Sequence, residues 1–223
     1  MANRKLVIFD CDGVLVDSEQ ILHRVFAEML TEVGLPITYE ETTRQFMGQS
    51  LATCIALIEQ SYQKTLPKDF IERCKAREFA VLRQELQPVS GIAGALERIT
   101  LPKCVASNSS HRHIQLVLTL TQLLAHFDGK LYSSHDVDRP KPFPDVYLHA
   151  AQQMGFQPEE CVVIEDSIPG VQAAYAAGMT VFGYISHQPI ETHRDALVAA
   201  GANVVFEQMQ QLPNLIDAIK SPH

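Results

Sequence analysis

The sequence lacks the long apolar runs and the excess of basic charge that mark membrane proteins and nucleic-acid-binding proteins. Its apolar runs are no longer than a strand, so we expect no membrane-spanning segment. It has 18 Lys and Arg against 26 Asp and Glu, a formal net charge of −8, which argues against nucleic acid and anionic membranes as partners. The first apolar run meets aspartates after four residues and does not resemble a signal peptide, so we expect a cytoplasmic protein.

Sequence patterns that hold zinc or form disulfides are also absent. The five cysteines include no CxxC pair, and the nine histidines include no HExxH motif. His111 and His113 would lie on different faces of a helix and are not expected to share a metal; we expect most histidines at the surface or at helix ends. The cysteines fall in apolar runs or helical tracts, and we expect small buried side chains at Cys11, Cys54, Cys74, Cys104 and Cys161.

Six short apolar runs have the composition of buried strands, at 5–9, 103–106, 130–133, 161–164, 180–185 and 203–206. From the second run onward, each is separated from the next by a helix-length or turn-rich segment. This alternation predicts an α/β fold with a doubly wound parallel sheet. We find no internal repeat and no low-complexity tract.

The segment between the first two predicted strands has the periodicity of helices. Residues 21–33 place apolar side chains at i, i+3 and i+4, with Asp17 as the expected N-cap and Gly34 as the expected C-terminal stop. The same pattern recurs in residues 50–64 and 67–87, and no convincing strand occurs between them. We therefore expect this segment to be an inserted helical subdomain.

This helical segment is too long to be an ordinary connection. It spans about ninety residues, where a crossover between parallel strands needs about a dozen. A chain of 223 residues can bury a full core and form one domain or two modest ones. We predict a core domain made of residues 1–16 and 88–223, interrupted by a helical cap domain at residues 17–87.

Carboxylates and small polar side chains follow three of the predicted strands: Asp10 and Asp12, then Ser107 and Asn108, then Glu165, Asp166 and Ser167. Parallel strands end at one edge of a sheet, and ligands bind outside that edge, so we expect these side chains to converge. Three or more carboxylates without matching basic residues suit a hard divalent cation such as Mg²⁺, which proteins often hold together with a phosphate.

Two further residues suit a phosphate. Ser107 lies at a strand end before a helix, where its hydroxyl and the following backbone N–H groups can bind an anion. Lys141 lies between Pro140 and Pro142, which stiffen the backbone around it. A carboxylate nucleophile, a metal, a hydroxyl and a cation are the parts of a phosphoryl-transfer site. Cys11 is not expected to be a nucleophile, because the residues after it offer acids and no arginine to hold a phosphate.

Four segments resemble the ordered motifs of the haloacid dehalogenase (HAD) superfamily: FDCDGVLVDSE, ASNSS, KPFPD and IEDSIPG. More narrowly, they resemble its phosphatases with a helical cap between the first two motifs. The resemblance implies that Asp10 is the nucleophile, forms an aspartyl phosphate and binds Mg²⁺ through its other oxygen. It implies that Asp12 is the general acid and base and binds the metal through its backbone carbonyl. This explains why two aspartates lie one residue apart. Mg²⁺ would keep Asp10 ionised, and the negative charge of Asp10 would help Asp12 to hold a proton.

The remaining motif residues are implied to bind substrate and metal. Ser107, Asn108 and Lys141 would hold the phosphoryl oxygens. Asp166 would complete the metal site, with Glu165 as an adjacent or water-mediated partner. In the predicted cap, QFMGQSL resembles a substrate-facing loop, with candidate contacts at Gly48, Gln49 and Ser50.

The resemblance implies a Mg²⁺-dependent phosphatase acting on a small phosphorylated metabolite, a sugar or sugar-acid phosphate. Within the family the chain looks similar to phosphatases of 6-phosphogluconate, with phosphoglycolate as a near alternative. We expect a monomer with neither nucleic acid nor membrane as a partner.

Two other functions stay open at this point. A β-phosphoglucomutase-like phosphomutase shares the core residues, although such relatives have an arginine where this chain has Leu51. A non-catalytic phosphoacceptor domain also uses an aspartate and Mg²⁺ on a parallel sheet, but it has no need of Asp12 as an acid or of a cap. A dehalogenase is disfavoured, because it would not need Asp12, Glu165 and Asp166 as a metal set.

Overall fold

The computed structural model of the protein describes residues 5–46, 51–185 and 190–219. The chain divides into two compact units, one made of Met1–Asp17 with Gln87–His223 and the other of Ser18–Leu86. The strands are β1 Leu6–Phe9, β2 Lys103–Ser107, β3 Leu131–Ser133, β4 Cys161–Glu165, β5 Thr180–Tyr184 and β6 Val204–Phe206. The helices are α1 Glu19–Glu32, α2 Tyr39–Phe46, α3 Leu51–Tyr62, α4 Phe70–Glu85, α5 Ile92–Arg98, α6 His111–Leu120, α7 Asp145–Met154, α8 Ile168–Ala176, α9 Ile190–Ala200 and α10 Leu212–Ala218.

The first unit is built on a six-stranded sheet in the order β3-β2-β1-β4-β5-β6, with every pair parallel. β1 lies in the middle, where Ile8 pairs with Cys104 of β2 and with Val163 of β4. All four residues of β1 are fully buried, as expected for a strand covered on both faces. The predicted doubly wound parallel sheet is confirmed.

Small and β-branched side chains allow the helices to pack closely on this sheet. One core cluster joins residues of β1, β2, β4 and β5 to the buried faces of α7 and α8, where several of the buried helix residues are alanines. Its largest member is Tyr147, which is fully buried although its ring carries a hydroxyl. All five cysteines are buried and unpaired, as predicted.

The second unit consists of α1 to α4. Phe26 of α1 packs edge to face against Phe46 of α2 and Phe70 of α4, with ring centroids 5.7 and 6.3 Å apart. α2 was not predicted, because the segment YEETTRQF places aromatic residues only at its two ends and buries only Thr42 and Phe46. No helix in the described part of the chain is both long enough and apolar enough to cross a membrane.

The two ends of α1 differ in how well the sequence predicts them. The N-cap is Ser18, one residue after the expected Asp17, and its side chain makes no capping hydrogen bond. The C-terminal stop is as expected. Gly34 has φ of 78°, its N–H donates to the Thr31 carbonyl, and the Leu35 N–H donates to the Leu30 carbonyl, so two of the last carbonyls of the helix are satisfied.

Candidate active site

The carboxyl edge of the sheet carries the predicted site residues. Asp10 follows β1 directly, and its N–H donates to Ile164 of β4, so the end of the strand is held in the sheet. The chain then turns at Gly13, which has φ of 82°. Cys11 is buried between the two aspartates. The structure brings six of the predicted residues to this edge: Asp10, Asp12, Ser107, Lys141, Glu165 and Asp166.

Lys141 is a buried lysine at the centre of this arrangement, with only 7% of its surface exposed. Its Nζ donates to Asp10 Oδ1 at 2.7 Å, to Glu165 Oε1 at 2.8 Å and to the Ala106 carbonyl at 2.9 Å. A lysine ammonium has three N–H donors, and all three are used here. Lys141 therefore joins the ends of β1, β2 and β4 and is not a solvated surface charge.

Asn108 fixes the backbone from which Lys141 projects. Its Oδ1 accepts from the Lys141 N–H at 2.9 Å, and its Nδ2 donates to the Lys141 carbonyl at 3.3 Å. The carbonyl of Asn108 in turn accepts from Ser134 Oγ at 2.9 Å. Since the amide side chain is committed to Lys141, the predicted phosphate contact of Asn108 would have to come from its backbone N–H.

Three of the buried charged residues at this edge have pKa values that respond differently to their surroundings. Burial raises the pKa of Asp10 to about 7, because the loss of hydration outweighs the attraction of Lys141. Burial also acts to raise the pKa of Glu165, but Lys141 and further hydrogen bonds overcome it and leave the pKa below its usual value. Burial acts to lower the pKa of Lys141, and Asp10 and Glu165 outweigh it and raise the pKa. Lys141 and Glu165 therefore stabilise each other's charged forms, while a further cation beside Asp10 would favour its ionised form.

Glu165 is held by protein donors on both of its oxygens. Oε1 accepts from Lys141 Nζ and, at 2.9 Å, from the Tyr147 hydroxyl, while Oε2 accepts from the N–H and the hydroxyl of Ser167. A carboxylate has about four lone-pair positions, so these four hydrogen bonds occupy them. This favours a supporting place beside a metal over direct ligation, in line with the predicted adjacent or water-mediated role.

Asp10, Glu165 and Asp166 form an acid cluster in which one carboxylate oxygen of each residue lies within 4.8 Å of the others. All three residues are buried, and the His193 ring nitrogen Nε2 lies 2.7 Å from the backbone carbonyl of Asp166, which fixes this residue from the side of α9. Hard carboxylate oxygens at this spacing are the donor type that Mg²⁺ prefers. The acid cluster therefore fits the predicted metal.

Asp12 is not a member of the acid cluster, and its carboxylate contacts the segment that follows β2. Its Oδ1 lies 2.9 Å from His113 Nε2, and its Oδ2 accepts from the Ser109 hydroxyl at 2.9 Å. Sequence reasoning missed both partners, because it placed most of the nine histidines at the surface or at helix ends and named no partner for His113. The signal that could have found them is topological: β1 and β2 are neighbours, so the residues after their ends face each other.

His111 and His113 contact different carboxylates in the described structure. His111 Nε2 lies 2.9 Å from the carboxylate oxygens of Asp136, whereas His113 faces Asp12. The predicted loop contacts Gly48, Gln49 and Ser50 lie outside the described residues, and α3 begins directly after them at Leu51.

Comparison with known proteins places the chain in a family. A family model described as haloacid dehalogenase-like hydrolase matches residues 7–184. The chain belongs to this family. The 6-phosphogluconate phosphatase of Escherichia coli (strain K12) is 34% identical over 216 residues, which cover 96% of this chain and 96% of that protein. The family match and this relative confirm the predicted enzyme class, a haloacid dehalogenase-type phosphoric monoester hydrolase.

Solved structures of the family share the fold over nearly the whole chain. A conserved haloacid dehalogenase-like protein of unknown function from Agrobacterium tumefaciens str. C58 has a TM-score of 0.87 and 38% identity, covering 98% of this chain and 100% of that one. A HAD family hydrolase from Deinococcus radiodurans R1, with bound phosphate and sodium, has a TM-score of 0.80 and 34% identity, covering 100% of both chains. The haloacid dehalogenase fold predicted from the motifs is thus confirmed.

Two glycines of the haloacid dehalogenase motifs leave room for the buried acids. A Cβ at Gly13 would lie 1.9 Å from Asp166 Oδ2, and a Cβ at Gly170 would lie 1.7 Å from Glu165 Oε1. No real side chain tolerates such distances, so the acids occupy space that only glycine provides. These glycines are part of the site although they carry no functional group.

Gly13→Ala is therefore expected to damage the site, and Gly155 offers a matched control. Both glycines have positive φ, but a Cβ at Gly155 would meet nothing within 4 Å. Alanine at either position costs about 1–2 kcal/mol of unfolding free energy from the backbone alone. We expect Gly13→Ala to cost about 1–3 kcal/mol more because Asp166 must move.

Turnover separates the two variants more sharply. Because Asp166 of the acid cluster would be displaced, we expect Gly13→Ala to lower turnover about 100-fold, while Gly155→Ala keeps wild-type turnover. Denaturant unfolding and initial rates measure the two effects. Equal behaviour of the two variants would contradict the close fit of Gly13 to Asp166.

Proposed function

We propose that this protein is a Mg²⁺-dependent phosphatase that hydrolyses a small phosphorylated sugar or sugar acid through an aspartyl phosphate on Asp10. One observation carries the proposal. Asp10 is buried at the carboxyl edge of the sheet, one of its oxygens is held by Lys141 at 2.7 Å, and it shares an acid cluster with Glu165 and Asp166. A buried carboxylate set beside a single lysine is what a nucleophile paired with a metal requires.

The charges at the site support a divalent cation. In the part of the chain that the structure describes, four carboxylates at this edge, those of Asp10, Asp12, Glu165 and Asp166, accompany one buried lysine, Lys141. The side chains of Asp10 and Asp166 and the backbone carbonyl of Asp12 would hold Mg²⁺, with Glu165 behind them. When bound, Mg²⁺ would neutralise this negative charge, keep Asp10 ionised and polarise the phosphoryl group.

In the first step Asp10 attacks phosphorus and the ester P–O bond of the substrate breaks. Asp12 gives a proton to the leaving alkoxide oxygen, so an alcohol departs. Ser107 Oγ accepts a hydrogen bond from the Ser109 N–H at 3.0 Å, and its own proton can be donated to a phosphoryl oxygen. Lys141 Nζ contacts Asp10 Oδ1 and would stabilise the negative charge on the transferred phosphoryl group.

In the second step water attacks phosphorus and Asp12 takes a proton from it. The bond between phosphorus and Asp10 breaks, inorganic phosphate leaves, and Asp10 returns as a carboxylate. Asp12 thus serves as acid in one half of the cycle and as base in the other, which keeps the proton count balanced.

The substrate class is supported by the relatives and by the helical insertion. The relative that is 34% identical over nearly the full length of both chains is named for 6-phosphogluconate, which we propose as the first substrate to test. We propose that Ser18–Leu86, the helical unit, is the cap that selects the substrate, and that Gly48, Gln49 and Ser50 contact it. The expected monomeric state and cytoplasmic location stay predictions.

The test is to incubate the enzyme and Mg²⁺ with 6-phosphogluconate, phosphoglycolate and glucose 1-phosphate and to follow the products by ³¹P NMR. Hydrolysis predicts inorganic phosphate in equal amount to substrate lost, with no need for a bisphosphate activator. A phosphomutase would hold a second phosphate, and Leu51 cannot bind one where mutase-like relatives have arginine. Isomerised sugar phosphate without free phosphate would overturn hydrolysis in favour of a mutase.

A further inference from the structure

Two residues contact the carboxylate of Asp12 from two sides, and the haloacid dehalogenase motifs assign a role to neither of them. His113 Nε2 lies 2.9 Å from Oδ1, and the Ser109 hydroxyl lies 2.9 Å from Oδ2. The side chains of His113 and Asp12 are 15% and 19% exposed. This pair is therefore well sheltered, unlike the half-exposed His111 side chain on the same turn of α6.

The two residues that hold Asp12 are themselves anchored to the sheet. The Ser109 N–H donates to Ser107 Oγ at 3.0 Å, and the Ser109 carbonyl accepts from Ser133 Oγ at 2.7 Å. The His113 N–H donates to Ser110, the N-cap of α6. The support for Asp12 thus comes from the ends of β2 and β3 and from the first turn of a helix, which are rigid elements of the fold.

We propose that His113, together with Ser109, is a positioning residue that fixes the orientation of the Asp12 carboxylate for proton transfer. Asp12 lies beyond the end of β1, and the contacts with His113 and Ser109 restrict the rotation of its carboxylate. A general acid works only within hydrogen-bond reach of the oxygen it serves, and misplacement of a reacting group by about 1 Å can cost about 100-fold in rate. This inference rests on the proposed role of Asp12 as acid and base.

The role makes a prediction that a purely structural contact would not make. Departure of a basic leaving group needs a proton, whereas departure of a stabilised phenolate does not. Loss of the His113 contact should therefore slow cleavage of the ester with the more basic leaving group much more than cleavage of the ester with the stabilised phenolate. Phenyl phosphate and 2,4-dinitrophenyl phosphate have similar shapes and differ in this respect.

For His113→Ala we expect kcat/KM with phenyl phosphate to fall about 100-fold, and with 2,4-dinitrophenyl phosphate less than about threefold. The second step still needs Asp12 as a base. The variant should therefore release a burst of about one dinitrophenolate per enzyme, followed by a slow steady rate. His113→Gln places an amide N–H near the position of Nε2 and is expected to recover most of the loss with phenyl phosphate.

His111→Ala is the matched control, because it removes the same side chain from the same helical turn without a contact to Asp12. It is expected to keep wild-type rates with both esters. A thermal unfolding scan of each variant separates loss of fold from loss of orientation. An equal fall in kcat/KM for both esters in His113→Ala, or no recovery of kcat/KM with phenyl phosphate in His113→Gln, would overturn the positioning role. A wild-type enzyme with no phosphatase activity on either ester would instead overturn the proposed function.

Discussion

Asp10→Asn is expected to lower turnover by at least about 10⁴-fold, which corresponds to about 5.5 kcal/mol in the barrier. An amide is not a nucleophile toward phosphorus, so no covalent intermediate can form at this position. The substitution keeps the shape of the side chain, and its Oδ1 can still accept from Lys141 Nζ, which also remains paired with Glu165. The loss should therefore be chemical and not structural.

The fold of this variant can be checked independently. The folded-state pKa of Asp10 is raised from 3.8 to about 7, so the favourable contribution of this acid to stability is complete below about pH 4 and is lost as the pH rises through about 7. In chelator at about pH 8, Asp10→Asn is thus expected to unfold at a temperature no lower than wild type. Asp128→Asn, at a side chain that is 79% exposed, is the control and should keep full turnover. Retention of even a tenth of wild-type turnover by Asp10→Asn would contradict its role as nucleophile.

Removal of divalent cations with EDTA is expected to lower turnover by at least about 10³-fold, because several kcal/mol of charge stabilisation are lost from the transition state. Added Mg²⁺ should restore it. Without a cation, the four carboxylates repel an anionic substrate, and Lys141 neutralises only part of their charge. Full turnover in chelator would contradict the metal assignment.

The same prediction has a readout that does not depend on activity. A ligand at 100 times its dissociation constant stabilises the folded state by about 2.7 kcal/mol. Mg²⁺ is therefore expected to raise the melting temperature of wild type. Asp166→Asn should need more Mg²⁺ for the same shift and should recover part of its turnover at high Mg²⁺, while Asp128→Asn should match wild type. A melting temperature that is insensitive to Mg²⁺ in wild type would place the cation elsewhere.

Much of this site could be predicted from the sequence because its parts follow strands. Asp10, Ser107 and Glu165 each stand at or next to the end of an apolar run, and a parallel sheet brings such ends to one edge whatever the details of packing. Local signals also sufficed for the C-terminal end of α1, where Gly34 supplies the positive φ that the stop requires.

The residues that sequence reasoning missed depend on contacts between distant segments. His113 reaches Asp12 across 101 positions, and Tyr147 reaches Glu165 across 18. Local sequence does not indicate these partners. A histidine in a helical turn is usually a surface or capping residue, and a tyrosine in an apolar stripe is usually a core residue. The same limit applies to α2, which is defined by packing of Phe46 against Phe26 and not by a repeating apolar pattern.

Trapping of the phosphorylated enzyme tests the formation of an aspartyl phosphate on Asp10 most directly. Asp12→Asn should still be phosphorylated by 2,4-dinitrophenyl phosphate, whose leaving group needs no acid, but should hydrolyse the intermediate slowly because the base is gone. Acid quenching, borohydride reduction of the acyl phosphate and peptide mass spectrometry then locate the modified residue. We predict conversion of Asp10 to homoserine in this variant and no conversion when Asp10→Asn is added. Modification of another side chain, or turnover by wild type with no acyl phosphate trapped at Asp10 in Asp12→Asn, would contradict the proposed mechanism.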